Sequence, residues 1–172
     1  MQRRSVLGAA ALALPLLPVH SAGAAPAAPG QPVAWPALRL LDGTELAPAH
    51  WNGRAAVVVF WSTTCPFCRR HNQHLEKLHR AAAALPGQPL QVLGAAREKD
   101  AALVRRYAQQ QGYSFPITLD SRALAAAMSE RNLIPLTAVV ARDGRLKQVL
   151  PGEMFEEDVM ELLQLAQAGG RS

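Results

Sequence analysis

The chain has 172 residues, 49% hydrophobic and 18% charged, enough apolar material for one globular domain with a real core and too little charge for general disorder. Its formal net charge is +5, and removal of Arg3 and Arg4 with a leader leaves 16 basic residues against 13 acidic ones. So mild a surplus, with no run of Lys and Arg interleaved with aromatics, argues against a nucleic-acid partner.

Met1 to Ala24 has the three parts of an export signal: Arg3-Arg4, an apolar run from Val6 to Val19, and Ala22-Gly23-Ala24 as a small-residue cleavage site. Pro15 and Pro18 interrupt the run, which is short for a membrane span. A cleaved leader is therefore expected, with a membrane anchor facing the periplasm as the alternative. Arg3 to Leu7 also resembles a twin-arginine signal. Either route leads out of the bacterial cytoplasm, to where disulfides persist and a dithiol kept reduced needs a dedicated source of electrons.

Residues 25–36, with four prolines, read as a flexible linker, leaving 37–172 as the folded domain. Leu38-Arg39-Leu40 and Glu45-Leu46, joined by Asp42-Gly43, predict a small hairpin. Ala55 to Trp61 is apolar and β-branched, the composition of a strand buried on both faces. After it the period changes. Leu75, Leu78, Ala82 and Leu85 recur at three- and four-residue spacing, which predicts an amphipathic helix from Pro66 to about Ala84. Pro66 falls in its first turn, where a missing N–H costs nothing.

Pro86-Gly87 breaks the chain before a second strand, Leu90 to Ala95, and Asp100 to Gln111 forms a second helix stopped by Gly112. A strand, a helix, a strand and another helix make the pattern of a parallel sheet core. Ala138-Val139-Val140 and Arg145 to Leu150 flank a turn at Asp143-Gly144. Phe155 to Ala168 predicts a final amphipathic helix with Val159, Leu162, Leu163 and Ala166 toward the sheet.

The chemistry is concentrated in Trp61-Ser62-Thr63-Thr64-Cys65-Pro66-Phe67-Cys68-Arg69-Arg70, which holds both cysteines of the chain and sits where a strand meets a helix. Cys65 falls at the N-cap or first position of that helix, where unpaired N–H groups and the helix dipole favour its thiolate. Cys68 is placed to resolve a mixed disulfide formed by Cys65. Three plainer readings compete. A purely structural disulfide would close a loop of four residues, worth only about 2 kcal/mol in the entropy model. A zinc site could draw on His71, His74 and His79, but all the ligands would lie on one continuous helix, closer than the usual Cys2His2 spacing. Chance is the third, and the strand-turn-helix context of a redox Cys-x-x-Cys motif speaks against it.

These ten residues resemble the active-site segment of the thioredoxin superfamily, and most nearly its exported TlpA/ResA/CcmG-like thiol-disulfide oxidoreductases, which share the tryptophan four residues before the first cysteine and basic residues after the second. The resemblance extends further. The N-terminal hairpin, Phe115 to Asp120 with Ala123 to Met128 as an inserted strand and helix, and Leu133-Ile134-Pro135-Leu136-Thr137 as a cis-proline loop all resemble that branch. It implies a thioredoxin-like α/β fold, a central mixed sheet flanked by helices. It further implies a cis Ile134-Pro135 peptide against the cysteine turn, with the Ile134 backbone pairing to an extended substrate, and Gly152 near the end of the last hairpin. Trp61 would form one wall of the site, unless it is an ordinary core aromatic. Pro66 and Phe67, between the cysteines, would tune the couple.

The implied activity is protein-disulfide reduction on exported proteins with cysteines, recharged by a membrane electron donor, in a monomer with no metal and no cofactor beyond the redox-active Cys65-Cys68 pair. Disulfide oxidation or isomerisation, and copper handling by the cysteines with a nearby histidine, are the rival readings. The chain departs from the family at four places. His71 stands where relatives carry a glutamate three residues after the second cysteine. It lies four residues before Leu75, on the inner stripe of the helix, either as a partly buried histidine bonded to backbone or as a group that modulates the Cys68 proton. Val59 replaces thioredoxin's buried aspartate, Gln73 replaces a kink proline, and Thr64 replaces a second tryptophan.

Overall fold

A computed structural model describes residues 25–166; the expected leader and the end of the expected final helix lie outside them. Seven strands and four helices follow in order: β1 Leu38–Arg39, β2 Glu45–Leu46, β3 Ala55–Trp61, α1 Pro66–Ala83, β4 Leu90–Ala96, α2 Ala101–Gln111, β5 Ile117–Thr118, α3 Ser121–Met128, β6 Leu136–Val140, β7 Leu146–Pro151 and α4 Glu156–Glu161. The central sheet has the order β5-β4-β3-β6-β7. β3 pairs parallel with β4 and antiparallel with β6, so the sheet is mixed. This is the thioredoxin-like architecture, with β1 and β2 as a separate strand pair.

β3 is central because every one of its seven residues is apolar and buried. Its alternation divides the core. Val57, Val59 and Trp61 pack beneath α1 with Leu75 and Leu78, while Ala56, Val58 and Phe60 meet Leu124 and Met128 of α3 on the other face. Gln73 sits within α1, which runs unbroken for 18 residues. α2 begins as its cap chemistry requires: the Asp100 carboxylate accepts the N–H groups of Ala102 and Leu103, and Gly112 ends the helix at φ 71°.

Two expectations need correction. Residues 25–36 do not hang free. Gly30 and Val33 donate backbone N–H groups to Leu146 and Gly144, Val33 is buried, and Trp35 stacks on Trp51 at 4.1 Å between centroids. The outer edge of β7 offers unpaired main-chain groups, and this proline-rich stretch satisfies some of them. The folded unit thus starts near residue 27 rather than 37. The final helix is also shorter than its periodicity predicts: α4 ends at Glu161 and Leu162–Ala166 tightens into a 3-10 turn. Phe155 supplies no side-chain cap to α4, and a short helix commonly closes its last turn in this tighter form.

Candidate active site

The cysteines lie where β3 hands over to α1. Cys65 is the N-cap residue, extended at φ −94° and ψ 109°, and Pro66 occupies the first turn. The Cys65 Sγ accepts the backbone N–H of Cys68 at 3.1 Å, one of the helix's otherwise unpaired donors. Cys65 is half-buried and Cys68 is fully buried, and the two are joined as a disulfide. Cys65 is thus the more exposed residue of the pair, and Cys68 is closed off from solvent.

The loop before Cys65 is fixed from two directions. Ser62 O accepts the Cys65 N–H, and the Ser62 and Thr64 hydroxyls bond to each other at 3.0 Å. Thr63 donates both its N–H and its hydroxyl to Glu98 Oε1, at 2.6 and 2.9 Å. Glu98 lies just past the end of β4, and the parallel pairing of Trp61 with Ala96 brings it beside the loop. Sequence reasoning missed this residue, since nothing in the local pattern ties it to Thr63 35 positions earlier.

Trp61 does not form an exposed wall. It is fully buried, packs in the same apolar cluster as Cys68, and meets Tyr107 and Tyr113 at 5.8 and 5.9 Å between centroids. It is the floor under the cysteines. The exposed apolar group is Phe67, 56% accessible, with the Arg70 guanidinium 5.1 Å from its ring centroid. Arg70 also forms a bidentate pair with Glu153 and holds that carboxyl below the usual carboxylate range.

The Ile134-Pro135 peptide is cis. β6 pairs Leu136 with Phe60, so Pro135 falls level with Trp61, at the end of the sheet that carries Cys65. Pro135 is buried, its carbonyl accepts the Gly152 N–H at 2.8 Å, and Ile134 is half-buried beside it.

His71 is wholly buried and its ring is committed on both sides. The Met154 N–H donates to Nδ1 at 3.2 Å, which leaves the proton of the neutral ring on Nε2, donated to Thr137 Oγ1 at 2.9 Å. Burial, assisted by His74, lowers its pKa to about 4. The ring is therefore neutral near pH 7 and makes its hydrogen bonds to Thr137 and Met154, not to Cys68. No ring nitrogen remains for a metal. His74 uses Nδ1 on Met154 O, and among the described residues no group of three or more His, Cys, Asp or Glu side chains converges to hold an ion.

The redoxin family model matches residues 27–164. A thiol-disulfide oxidoreductase ResA from Halalkalibacterium halodurans is 26% identical over 125 residues, which cover 73% of this chain and 69% of that protein. A thioredoxin-family thiol:disulfide interchange protein from Chlorobium tepidum superposes with a TM-score of 0.67 at 23% identity, over 81% of this chain and 99% of the other. A secreted thiol-disulfide isomerase from Corynebacterium glutamicum gives 0.67 at 19%, over 78% and 85%.

Proposed function

The chain belongs to the redoxin family and is a thiol-disulfide oxidoreductase of the ResA-like, thioredoxin-superfamily type; from that premise we propose that it acts in the periplasm as a protein-disulfide reductase. The observation that carries the reading is the unequal burial of the two cysteines, Cys65 half-buried at a helix N-cap and Cys68 fully buried in the first turn of α1. In the reduced protein the Cys65 thiolate attacks one sulfur of a substrate disulfide. The substrate S–S bond breaks, its other sulfur leaves as a thiolate, and a mixed disulfide joins Cys65 to the substrate. Cys68 then loses its proton and attacks Cys65 Sγ. The second substrate thiolate departs, and the two electrons lost by the dithiol are those gained by the substrate. No cofactor beyond the pair is needed for these steps.

The direction follows from what stabilises the Cys65 thiolate, because a well-stabilised thiolate makes an oxidant. The residues between the cysteines, Pro66 and Phe67, carry no charge, and His71 is neutral near pH 7. The contacts made to Cys65 itself are then the helix start and the Cys68 N–H, and we read this set, with no charge contributed from between the cysteines, as suiting a reductant. Ile134 and Pro135 would hold the extended substrate, Trp61 would support the cysteines from below, and His71 would brace α1 against β6 through Thr137. An exported location is supported by the leader-like Met1 to Ala24 and by a secreted structural neighbour. A membrane protein would return electrons to the pair.

Replacement of the resolving sulfur tests the assignment. Cys68→Ser should accumulate a mixed disulfide with a peptide-disulfide substrate, visible by mass, whereas Cys65→Ser should form none. Trapping through Cys68 instead of Cys65 would reverse the roles.

A further inference from the structure

We propose that the surface beside the cis-proline loop docks an acidic stretch of the partner polypeptide next to its reactive cysteine, an inference that rests on the disulfide-exchange reading above. The site is a depression of about 350 Å³ lined by Arg97, Arg122 and Arg131 together with Ser129, Glu130 and Asn132. That volume lies within the ~300–1,000 Å³ of ligand sites. Its lining thus includes three arginines and one acidic residue.

None of the three arginines forms an ion pair among the described residues, and neither does Glu130, whereas Arg70, Arg80 and Arg145 each have a carboxylate partner. Other nearby carboxylates are committed elsewhere, Glu98 to Thr63 and Asp120 to the Arg39 N–H. Like charges around one hollow repel one another. A carboxylate placed among them relieves the repulsion and can accept paired hydrogen bonds from a planar guanidinium.

The position of the hollow connects it to disulfide exchange. The Arg97 backbone N–H donates to Trp61 O at 3.0 Å, and its guanidinium donates to Leu133 O at 3.2 Å, one residue before Ile134. Ser129 to Leu133, which includes Arg131, leads directly into the cis peptide. Leu133 is 41% exposed at the junction. An extended chain lying along Ile134 with its cysteine at Cys65 therefore brings its flanking residues to Arg97 and Arg131. Acidic side chains there are matched in charge; basic ones meet repulsion.

The test uses three peptide disulfides identical around the cysteine and flanked by glutamate, glutamine or lysine. The unaltered protein should reduce them with kcat/KM in the order glutamate, glutamine, lysine. The span should be about tenfold or more at low ionic strength, carried by KM and shrinking as salt rises. In Arg122→Glu/Arg131→Glu the order should invert. Equal kcat/KM for the three peptides in the unaltered protein would overturn the proposal and leave disulfide exchange intact. Failure to reduce any of them would overturn both. A preference for oxidised glutathione with none among the peptides would also overturn it. Arg122→Gln/Arg131→Gln, a milder change, should flatten the order and serves where the charge reversal does not fold; an order unchanged in it would overturn the proposal.

Discussion

His71 is neutral in the folded chain and must take up a proton when the chain unfolds below the ordinary histidine range. Its folded pKa of about 4 lies below the ordinary histidine value of 6.5, so the unfolded state binds the extra proton between those limits. The stability present above pH 6.5 should therefore fall as pH drops from 6.5 toward 4, by up to about 3 kcal/mol from this residue. His79, also lowered by burial, adds to the same window. Glu76, Glu153 and Glu156 titrate below the usual carboxylate range and act at lower pH. Urea denaturation at a series of pH values should show a shallower loss across 6.5 to 4 in His71→Gln than in the unaltered protein. An identical slope would mean that the buried ring is not the proton acceptor. The inward position of His71 was legible from its four-residue spacing to Leu75. Its partners were not, because Thr137 and Met154 lie 66 and 83 residues away and only the sheet register brings them to the ring.

At the scale of the element, β4 shows how one missing side chain shapes the floor of the site. Gly94 lies opposite Val59 in the parallel ladder. A Cβ built there would meet Phe115 Cε2 at 2.8 Å and Trp61 Nε1 at 2.9 Å, closer than side chains tolerate. Gly94→Ala should therefore push the two aromatic rings apart and cost about 1–3 kcal/mol, read as a lower urea midpoint. An unchanged midpoint would show that the rings have room to yield. From the sequence Leu90 to Ala95 reads as a strand, and so it is, but a lone glycine in it carries no hint of the ring above. β3 and the start of α1 were more legible, because a continuous apolar run and a change of period are local signals. The 25–36 stretch misled for a related reason. Proline-rich composition marks a segment without regular structure, yet the open edge that receives it is formed by residues more than a hundred positions later.

At the scale of the whole molecule, the groups assigned to exchange gather at one end of the sheet. β3 and β4 end there, α1 starts there, and β6 begins there with its cis-proline. Loops beyond the carboxyl ends of parallel strands are where open α/β sheets commonly place their sites. The cysteine pair could be read from the sequence, since it is the only one in the chain; the alternation of periods gave the strand-helix order, while the mixed order of the sheet came from the resemblance of the active-site segment and the cis-proline loop. Arg97 and Glu98 could not, because they fall just past a strand, where no periodicity says which way a side chain turns. The measurement that bears most directly on the reductase reading is the reduction potential of the Cys65-Cys68 couple, equilibrated against glutathione or dithiothreitol buffers. For this two-electron couple about 30 mV corresponds to about 1.4 kcal/mol, so the two directions are well separated. A modestly stabilised Cys65 thiolate should give a potential near or below about −270 mV, the value of thioredoxin; a potential near about −120 mV, where strong protein oxidants lie, would contradict it.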